Sequence, residues 1–149
     1  MPRDNDKMPT EDSPLFREIE HTGDIGIEVN ASTRGELFRR ACIALAFILE
    51  EANEVQEAER RELAIEADTD ADLMHDLLTE LLCLFTVDGF IWCNASVTET
   101  DRSLRVTLQG ERFDPSRHPL RGEVKAVTYH ELVVAKSPQG WRARVIFDV

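Results

Sequence analysis

Three short stretches contain the side chains whose types and spacing could do chemistry: residues 21–26 (HTGDIG), residues 125–130 (KAVTYH) and the pair Asp148-Val149. The first stretch combines a histidine, a hydroxyl, a carboxylate and two glycines. A tight turn in which Asp24 accepts backbone hydrogen bonds explains this composition. A ligand-binding loop explains it equally well, because glycines let a ligand approach the carboxylate closely.

The second stretch, residues 125–130, has the composition of a strand. Successive side chains of a strand point to opposite faces, so Lys125 and Tyr129 share one face and His130 lies on the other. Surface lysines and tyrosines are usually solvated, and His130 can be a half-buried residue whose hydrogen bonds are satisfied. The sequence leaves open whether these side chains form a site.

The third stretch places Asp148 beside the carboxyl group of Val149. Val145 and Phe147 alternate with polar residues before it, which predicts a docked final strand rather than a frayed end. If Asp24 lies nearby, three carboxylates come together. Hard cations such as Ca²⁺ prefer such oxygen-rich sites.

A fourth acidic pattern, Asp68-x-Asp70-x-Asp72, is similar to the opening of an EF-hand loop. That loop needs Gly at its sixth position and Glu at its twelfth, and here Leu73 and Thr79 stand there. The pattern instead indicates a helix entry, where acidic side chains interact favourably with the helix dipole.

The three cysteines, Cys42, Cys83 and Cys93, are expected to pack in the core, since each falls on an apolar face. Their odd number and the lack of a CxxC spacing argue against a disulfide framework and a zinc ribbon. The chain also contains no nucleophile-elbow, P-loop or dinucleotide-binding motif. A reducing cytoplasm is the expected setting.

The elements that must position the three stretches follow from hydrophobic periodicity. We expect a disordered leader over residues 1–14 and one domain over residues 15–149. Alternation predicts strands near residues 15–21 and 25–31. Thr33 and Glu36 form a capping-box pattern before a helix that reaches Leu49. Its apolar band is wide, which predicts a central helix.

A strand around residues 63–67 and a second helix come next. Asp70 or Asp72 is the predicted cap of this helix, and Asp88-Gly89 is its predicted end. Four further strands are predicted, listed as residues 91–97, 104–108, 123–135 and 141–149, with a loop over 113–122. The pattern predicts an α+β fold, with two main helices packed on a largely antiparallel sheet of about seven strands.

The net charge of −12 is unevenly distributed, because residues 50–72 alone carry ten acids and two bases. This acidic segment is either a solvated face or a docking surface. The acidic balance argues against a general nucleic-acid coat, since phosphates favour Lys and Arg. The longest apolar run, residues 41–49, is too short for a membrane span, and the first residues lack the apolar stretch of a signal peptide.

Taken in order, the first two stretches and the final GWRARVIFDV resemble the archease family over about residues 15–149. The first motif more usually has Ala where this chain has Gly23. The resemblance implies a non-enzymatic, cytoplasmic activator of the RNA ligase that joins tRNA halves during splicing. It would promote guanylylation of the ligase in the presence of divalent metal, allow multiple turnover and broaden nucleotide use.

The resemblance also implies site residues. A divalent-metal site, usually described with calcium, maps onto Asp24, Asp148 and Val149. The matching residues His21, Lys125, Tyr129 and His130 would shape the site or contact the ligase. Neither direct nucleic-acid binding nor a membrane is expected, and the oligomeric state stays open.

Two alternatives from other classes remain at this point. One is a metal-dependent hydrolase that uses Asp24, His21 and His130. The other is a general chaperone or interaction module whose acidic segment, residues 50–72, contacts a basic partner.

Overall fold

A computed structural model describes residues 15–21, 23–50 and 54–149. These residues form two helices and eight strands, which confirms the predicted α+β class. The predicted leader, residues 1–14, lies outside the described residues. In chain order the elements are β1 Arg17–His21, β2 Asp24–Ala31, α1 Arg34–Leu49, β3 Glu59–Glu66, α2 Asp70–Asp88, β4 Phe90–Glu99, β5 Ser103–Arg112, β6 Ala126–Val127, β7 Val133–Ser137 and β8 Gly140–Asp148.

The strands divide between two antiparallel sheets. The larger sheet has the order β1-β2-β8-β6, with β7 also paired to β8, and the smaller has the order β3-β5-β4. The first and last described strands of the chain, β1–β2 and β8, therefore meet in one sheet. This arrangement brings two of the three chemistry-bearing stretches side by side.

Helix α1 lies in the centre of the fold, as its wide apolar band predicted. It contacts β2 and β8 of the larger sheet and β4 of the smaller one. Thr33 is its N-cap, and the Thr33 hydroxyl accepts a hydrogen bond from the backbone N–H of Glu36 at 3.2 Å. The Glu36 carboxylate pairs with Arg39 and Arg40. It therefore forms ion pairs instead of the hydrogen bond to the N-cap backbone that the capping box predicted.

The N-cap of helix α2 lies one residue before Asp70, the earlier of its two predicted caps. Thr69 is the N-cap, and its hydroxyl accepts a hydrogen bond from the Asp72 backbone N–H at 3.1 Å. Asp70 and Asp72 lie in the first turn, where acidic groups suit the helix dipole. Gly89 ends the helix in the left-handed conformation with φ of 67°, which confirms the predicted stop.

The predicted long strand over residues 123–135 is wrong in one respect. Both β6 and β7 pair with β8, but a turn over residues 128–132 separates them. Thr128 donates both its N–H and its hydroxyl to the Ile146 carbonyl, each at 3.0 Å, and Glu131 has a φ of 53°. A residue in the left-handed region cannot continue an extended strand, although the alternation of apolar residues on either side predicts one.

Among the described residues, neither helix is long and apolar enough to cross a membrane.

Candidate functional site

Asp24 and Asp148 are direct register partners on the neighbouring strands β2 and β8. Side chains that face each other across an antiparallel pair lie on the same face, with Cβ atoms about 4.5–5.5 Å apart. Asp148 is exposed and Asp24 is half-buried. Two carboxylates therefore face each other at the end of the larger sheet, and Val149 follows directly after Asp148.

The hairpin between β1 and β2 brings His21 to the same end of the sheet. His21 is the register partner of Asp24, so the backbone row runs His21, Asp24, Asp148. Gly23 has a φ of 74°, a conformation that favours glycine in a tight connection. The pairing of β1 with β2 agrees with the turn interpretation of the motif, and the ligand-loop interpretation stays a prediction.

Residues 125–127 lie on the other edge of β8. Ala126 is the register partner of Asp148, and the Lys125 backbone N–H donates to the Asp148 carbonyl at 2.8 Å. Val127 is 7% exposed and belongs to the core. The KAVTYH motif therefore supports Asp148 by backbone contacts, while the Lys125 side chain is exposed.

Tyr129 lies against helix α2 rather than in this row. The Tyr129 ring stacks on His75 of α2, with ring centroids 4.0 Å apart, and its hydroxyl donates to Asp72 Oδ1 at 2.9 Å. That hydrogen bond, with burial and the nearby carboxylates, raises the pKa of Tyr129. His130 Nε2 lies 4.0 Å from the Glu131 carboxylate.

His75 was not predicted from the sequence, and neither was the contact between Asp72 and Tyr129. His75 Nδ1 lies 3.1 Å from the Asp76 carboxylate, and the three residues Asp72, His75 and Asp76 share one helical face. Their i, i+3 and i, i+4 spacing was the available signal. Nothing in the sequence indicated that residue 129 would reach this helix.

An ionic row crosses the larger sheet on the face that carries Asp24 and Asp148. Glu28 pairs with Arg17 on one side and with Arg144 at 3.2 Å on the other. Arg144 also pairs with Glu131 at 3.3 Å. This row ties β1, β2, β8 and the turn before β7 together, four residues along the strands from the opposed aspartates.

A second carboxylate cluster joins the end of β5 to the predicted loop, residues 113–122. Glu111 is 9% exposed and accepts hydrogen bonds from the Gln56 N–H at 2.6 Å and from Arg117. His118 is fully buried. Its Nδ1 accepts from the Asp114 N–H at 2.8 Å, and its Nε2 lies 3.2 Å from Glu111. The accepting Nδ1 places the proton on Nε2, so that His118 donates to Glu111.

These contacts determine the charge state of Glu111. Burial alone would raise the pKa of the Glu111 carboxyl, but the hydrogen bonds from Gln56, Arg117 and His118 outweigh it and hold the pKa below its usual range. This cluster is closed, because its buried groups satisfy one another and fix the loop.

An open cleft of about 910 Å³ lies where the two helices begin. Arg34 lines it and donates to Asp70, to Glu99 and to the carbonyl oxygens of Thr100 and Asp101. These contacts connect both helix starts to the turn between β4 and β5. Neither predicted metal aspartate lines this cleft.

The cysteines differ in exposure. Cys42 is fully buried, and burial raises its pKa to about 12, so its predicted core position is confirmed. Cys93 is half-buried. Cys83 is exposed, so its predicted core position is wrong, because the buried face of α2 runs through Leu81, Leu82 and Leu84 instead.

The donor set at the end of the larger sheet suits a hard cation. Two aligned carboxylates are oxygen ligands of the kind that Ca²⁺ takes, and Val149 follows Asp148 directly in the chain. Within residues 15–21, 23–50 and 54–149, no three His, Cys, Asp or Glu side chains are grouped closely enough to hold a metal ion. Any cation at Asp24 and Asp148 therefore depends on Val149 and on groups from outside the described side chains.

Comparison with known proteins decides the family. The model of the Archease protein family (MTH1598/TM1083) matches residues 16–149. The chain belongs to the archease family. The matched range includes all three chemistry-bearing stretches, which confirms the resemblance seen in the sequence.

Relatives and solved structures support the assignment to the archease family over nearly the whole chain. Protein archease of Pyrococcus abyssi is 34% identical over 139 residues, which covers 90% of this chain and 98% of that protein. Protein archease of Methanosarcina acetivorans is 31% identical over 147 residues, covering 95% and 100% respectively.

Two solved structures share the fold. The solution structure of Methanobacterium thermoautotrophicum protein 1598 has a TM-score of 0.74 at 28% identity and covers 91% of this chain and 99% of that one. The crystal structure of a Thermotoga maritima protein described as an archease and possible chaperone has a TM-score of 0.60 at 22% identity, covering 89% and 96%. This second likeness concerns the archease fold alone.

Proposed function

We propose that this chain is a non-catalytic activator of the RNA ligase that joins tRNA halves. We propose further that it acts through a bound divalent cation, and calcium is the ion that we propose. Asp24, Asp148 and the carboxyl group of Val149 would hold the cation. Membership of the archease family supports the activator role. The direct register pairing of Asp24 with Asp148 supports the cation site.

The electrostatics of this pair favour a bound cation. Like charges directly opposite each other on neighbouring strands destabilise a sheet. A divalent cation between the two carboxylates would replace this repulsion by attraction. Because Asp148 belongs to the sheet and Asp24 follows a two-residue connection, the backbone positions both carboxylates before any cation binds.

An incomplete site suits a helper protein. Ca²⁺ takes about 6–8 oxygen ligands, so three carboxylates at the end of the larger sheet would leave ligand positions for water or for groups of a partner. The bound cation would supply positive charge close to phosphate oxygens in the active site of the ligase. The chain's own residues would hold and orient it: Asp24 and Asp148 as ligands, and the backbone N–H of Lys125 as a support for the last residue of β8.

The proposal can be tested with single substitutions in a reconstituted ligation assay. We expect Asp24→Asn and Asp148→Asn to abolish multiple-turnover ligation and to remove calcium binding measured by isothermal titration calorimetry. Circular dichroism should show a folded protein in both cases. Asp88→Asn, which changes an exposed carboxylate at the opposite end of α2, is the matched control. Normal ligation with both variants would contradict the cation-based mechanism.

The interaction module is a second candidate that one observation favours. Within the acidic segment, Glu59, Glu62 and Glu66 of β3 are exposed, which leaves a charged strand at the surface for a basic partner. Replacing Glu62 and Glu66 by Lys separates the two candidates. If the cation site carries the activity, this charge reversal leaves ligase activation intact; loss of activation with normal calcium binding would favour the docking surface.

The hydrolase candidate receives less support from the geometry. It needs His130 beside Asp24, but His130 lies in the turn after β6 with Glu131 as its ionic neighbour, while Asp24 pairs across the other edge of β8. Hydrolysis of a substrate by the isolated chain would support the hydrolase candidate.

A further inference from the structure

Strand β6, beside the proposed cation site, is anchored by the buried side chain of Val127 and by two hydrogen bonds from Thr128 to the Ile146 carbonyl, but it is only two residues long. It consists of Ala126 and Val127, and residues 121–125 before it form no helix or strand. Yet Ala126 pairs with Asp148, and the Lys125 N–H donates to the Asp148 carbonyl. Edge segments of this length fray unless contacts outside them hold the chain.

The first such contact is between Tyr129 and helix α2. The Tyr129 ring lies almost parallel to the His75 ring, with 12° between the planes and 4.0 Å between the centroids. Its hydroxyl donates to Asp72 Oδ1 at 2.9 Å. Tyr129 is 56% exposed, so burial of its surface contributes little. The aromatic stack and the hydrogen bond are therefore what place this residue on the helix.

The second contact holds the other side of the same turn. Glu131 has a φ of 53°, which is unfavourable for a residue with a side chain and persists only where surrounding contacts impose it. Its carboxylate pairs with Arg144 of β8 at 3.3 Å. Between the two contacts, the Leu132 N–H donates to the Tyr129 carbonyl at 3.2 Å and closes the turn.

We propose that Asp72 and His75 of α2 are positioning residues for the cation site. By holding Tyr129 they fix the turn over residues 128–132, and the turn keeps β6 paired with Asp148. Without this contact β6 would separate from the edge of β8 more often, despite the buried Val127 side chain, and Asp148 would then be supported by β2 on one side alone. The inference rests on the proposed cation site and adds two residues that none of the three chemistry-bearing stretches contains.

Hydrogen exchange tests the positioning step without any cation. The variants are Tyr129→Phe, which keeps the stack and removes the hydroxyl, and His75→Ala, which removes the stack. Both should speed exchange of the Lys125 and Thr128 amides by about two- to tenfold, the range expected when one hydrogen bond or a comparable contact is lost. His75→Phe should restore slow exchange, because it again offers a ring. Glu80→Gln, an exposed change on the same helix, is the control.

Calcium titration by calorimetry tests the consequence for the site. Tyr129→Phe and His75→Ala should weaken calcium binding by about two- to tenfold, with His75→Phe and Glu80→Gln close to the unsubstituted chain. A role in general stability would instead lower the melting temperature and leave the calcium affinity of the folded protein unchanged. Unchanged exchange at Lys125 and Thr128, or unchanged calcium affinity despite faster exchange, would overturn the proposal.

The failure of the proposed function gives a different result. If the unsubstituted chain binds no calcium, the cation site itself is wrong, and the claim that α2 positions that site falls with it. The exchange data then still decide whether Tyr129 holds β6 in place.

Discussion

Two groups of carboxylates in this chain differ in how their charge is satisfied. Glu111 accepts hydrogen bonds from a backbone amide, Arg117 and a fully buried histidine. Asp148 instead is exposed and faces a second aspartate across the sheet. We therefore expect the first carboxylate to stabilise the fold, whereas we propose that the second binds a ligand from outside the chain.

The largest effect on stability is expected at Glu111. Glu111→Ala leaves the Gln56 N–H and His118 without their acceptor, and an unsatisfied buried polar group costs about 1–3 kcal/mol. Urea denaturation should show a loss of this size in the free energy of unfolding. The exposed Glu62→Ala should change it by less than about 0.5 kcal/mol. Equal losses of stability for the two variants would contradict the claim that the buried Glu111 stabilises the fold.

The pH dependence sharpens the same point. The folded-state pKa of Glu111 is lowered, so its contribution to stability is fully present above the pKa of an unfolded glutamate, roughly 4.3. It is lost as the pH falls through the lower folded-state value. We expect the free energy of unfolding, measured by denaturation from about pH 6 downward so that the series spans this transition, to fall more steeply for the unsubstituted chain than for Glu111→Gln. Parallel curves would contradict the assignment.

The smallest effect should have the opposite sign. Asp148→Asn removes one of two opposed charges, and a pair on neighbouring strands contributes about 0.2–1 kcal/mol. Because Asp148 is exposed, we expect the lower end of this range. In the presence of EGTA the variant should be as stable as the unsubstituted chain or slightly more stable in urea denaturation. A clear loss of stability would mean that Asp148 is a structural residue like Glu111.

Much of the architecture could be predicted because it depends on local patterns. The alternation of Ile25, Ile27 and Val29 indicates β2. The Thr33 side chain caps the start of α1, and the backbone conformation of Gly89 ends α2. The cap of α2 was misplaced by one or more residues, since Thr69, Asp70 and Asp72 are all suitable cap types.

The site could be predicted only in part, because strand order and register depend on contacts distant in the chain. Asp24 and Asp148 are predicted as metal ligands from their residue types and from the family resemblance. Their direct pairing could not be predicted, because it depends on the order and register of the strands. The contact between Tyr129 and His75 depends on a turn at Glu131, whose left-handed conformation is imposed by tertiary contacts. Sequence periodicity carries no information on such a contact.

The most direct test of the central claim is the initial rate of ligase guanylylation, measured with no added chain, with the unsubstituted chain, with Asp148→Asn and with Glu111→Gln. Substitution is preferable to chelation here, because the proposed ligase reaction itself uses a divalent metal. We predict a higher rate with the unsubstituted chain and, at a temperature where it is folded, with Glu111→Gln, but no increase with Asp148→Asn. Full stimulation by Asp148→Asn would contradict the account.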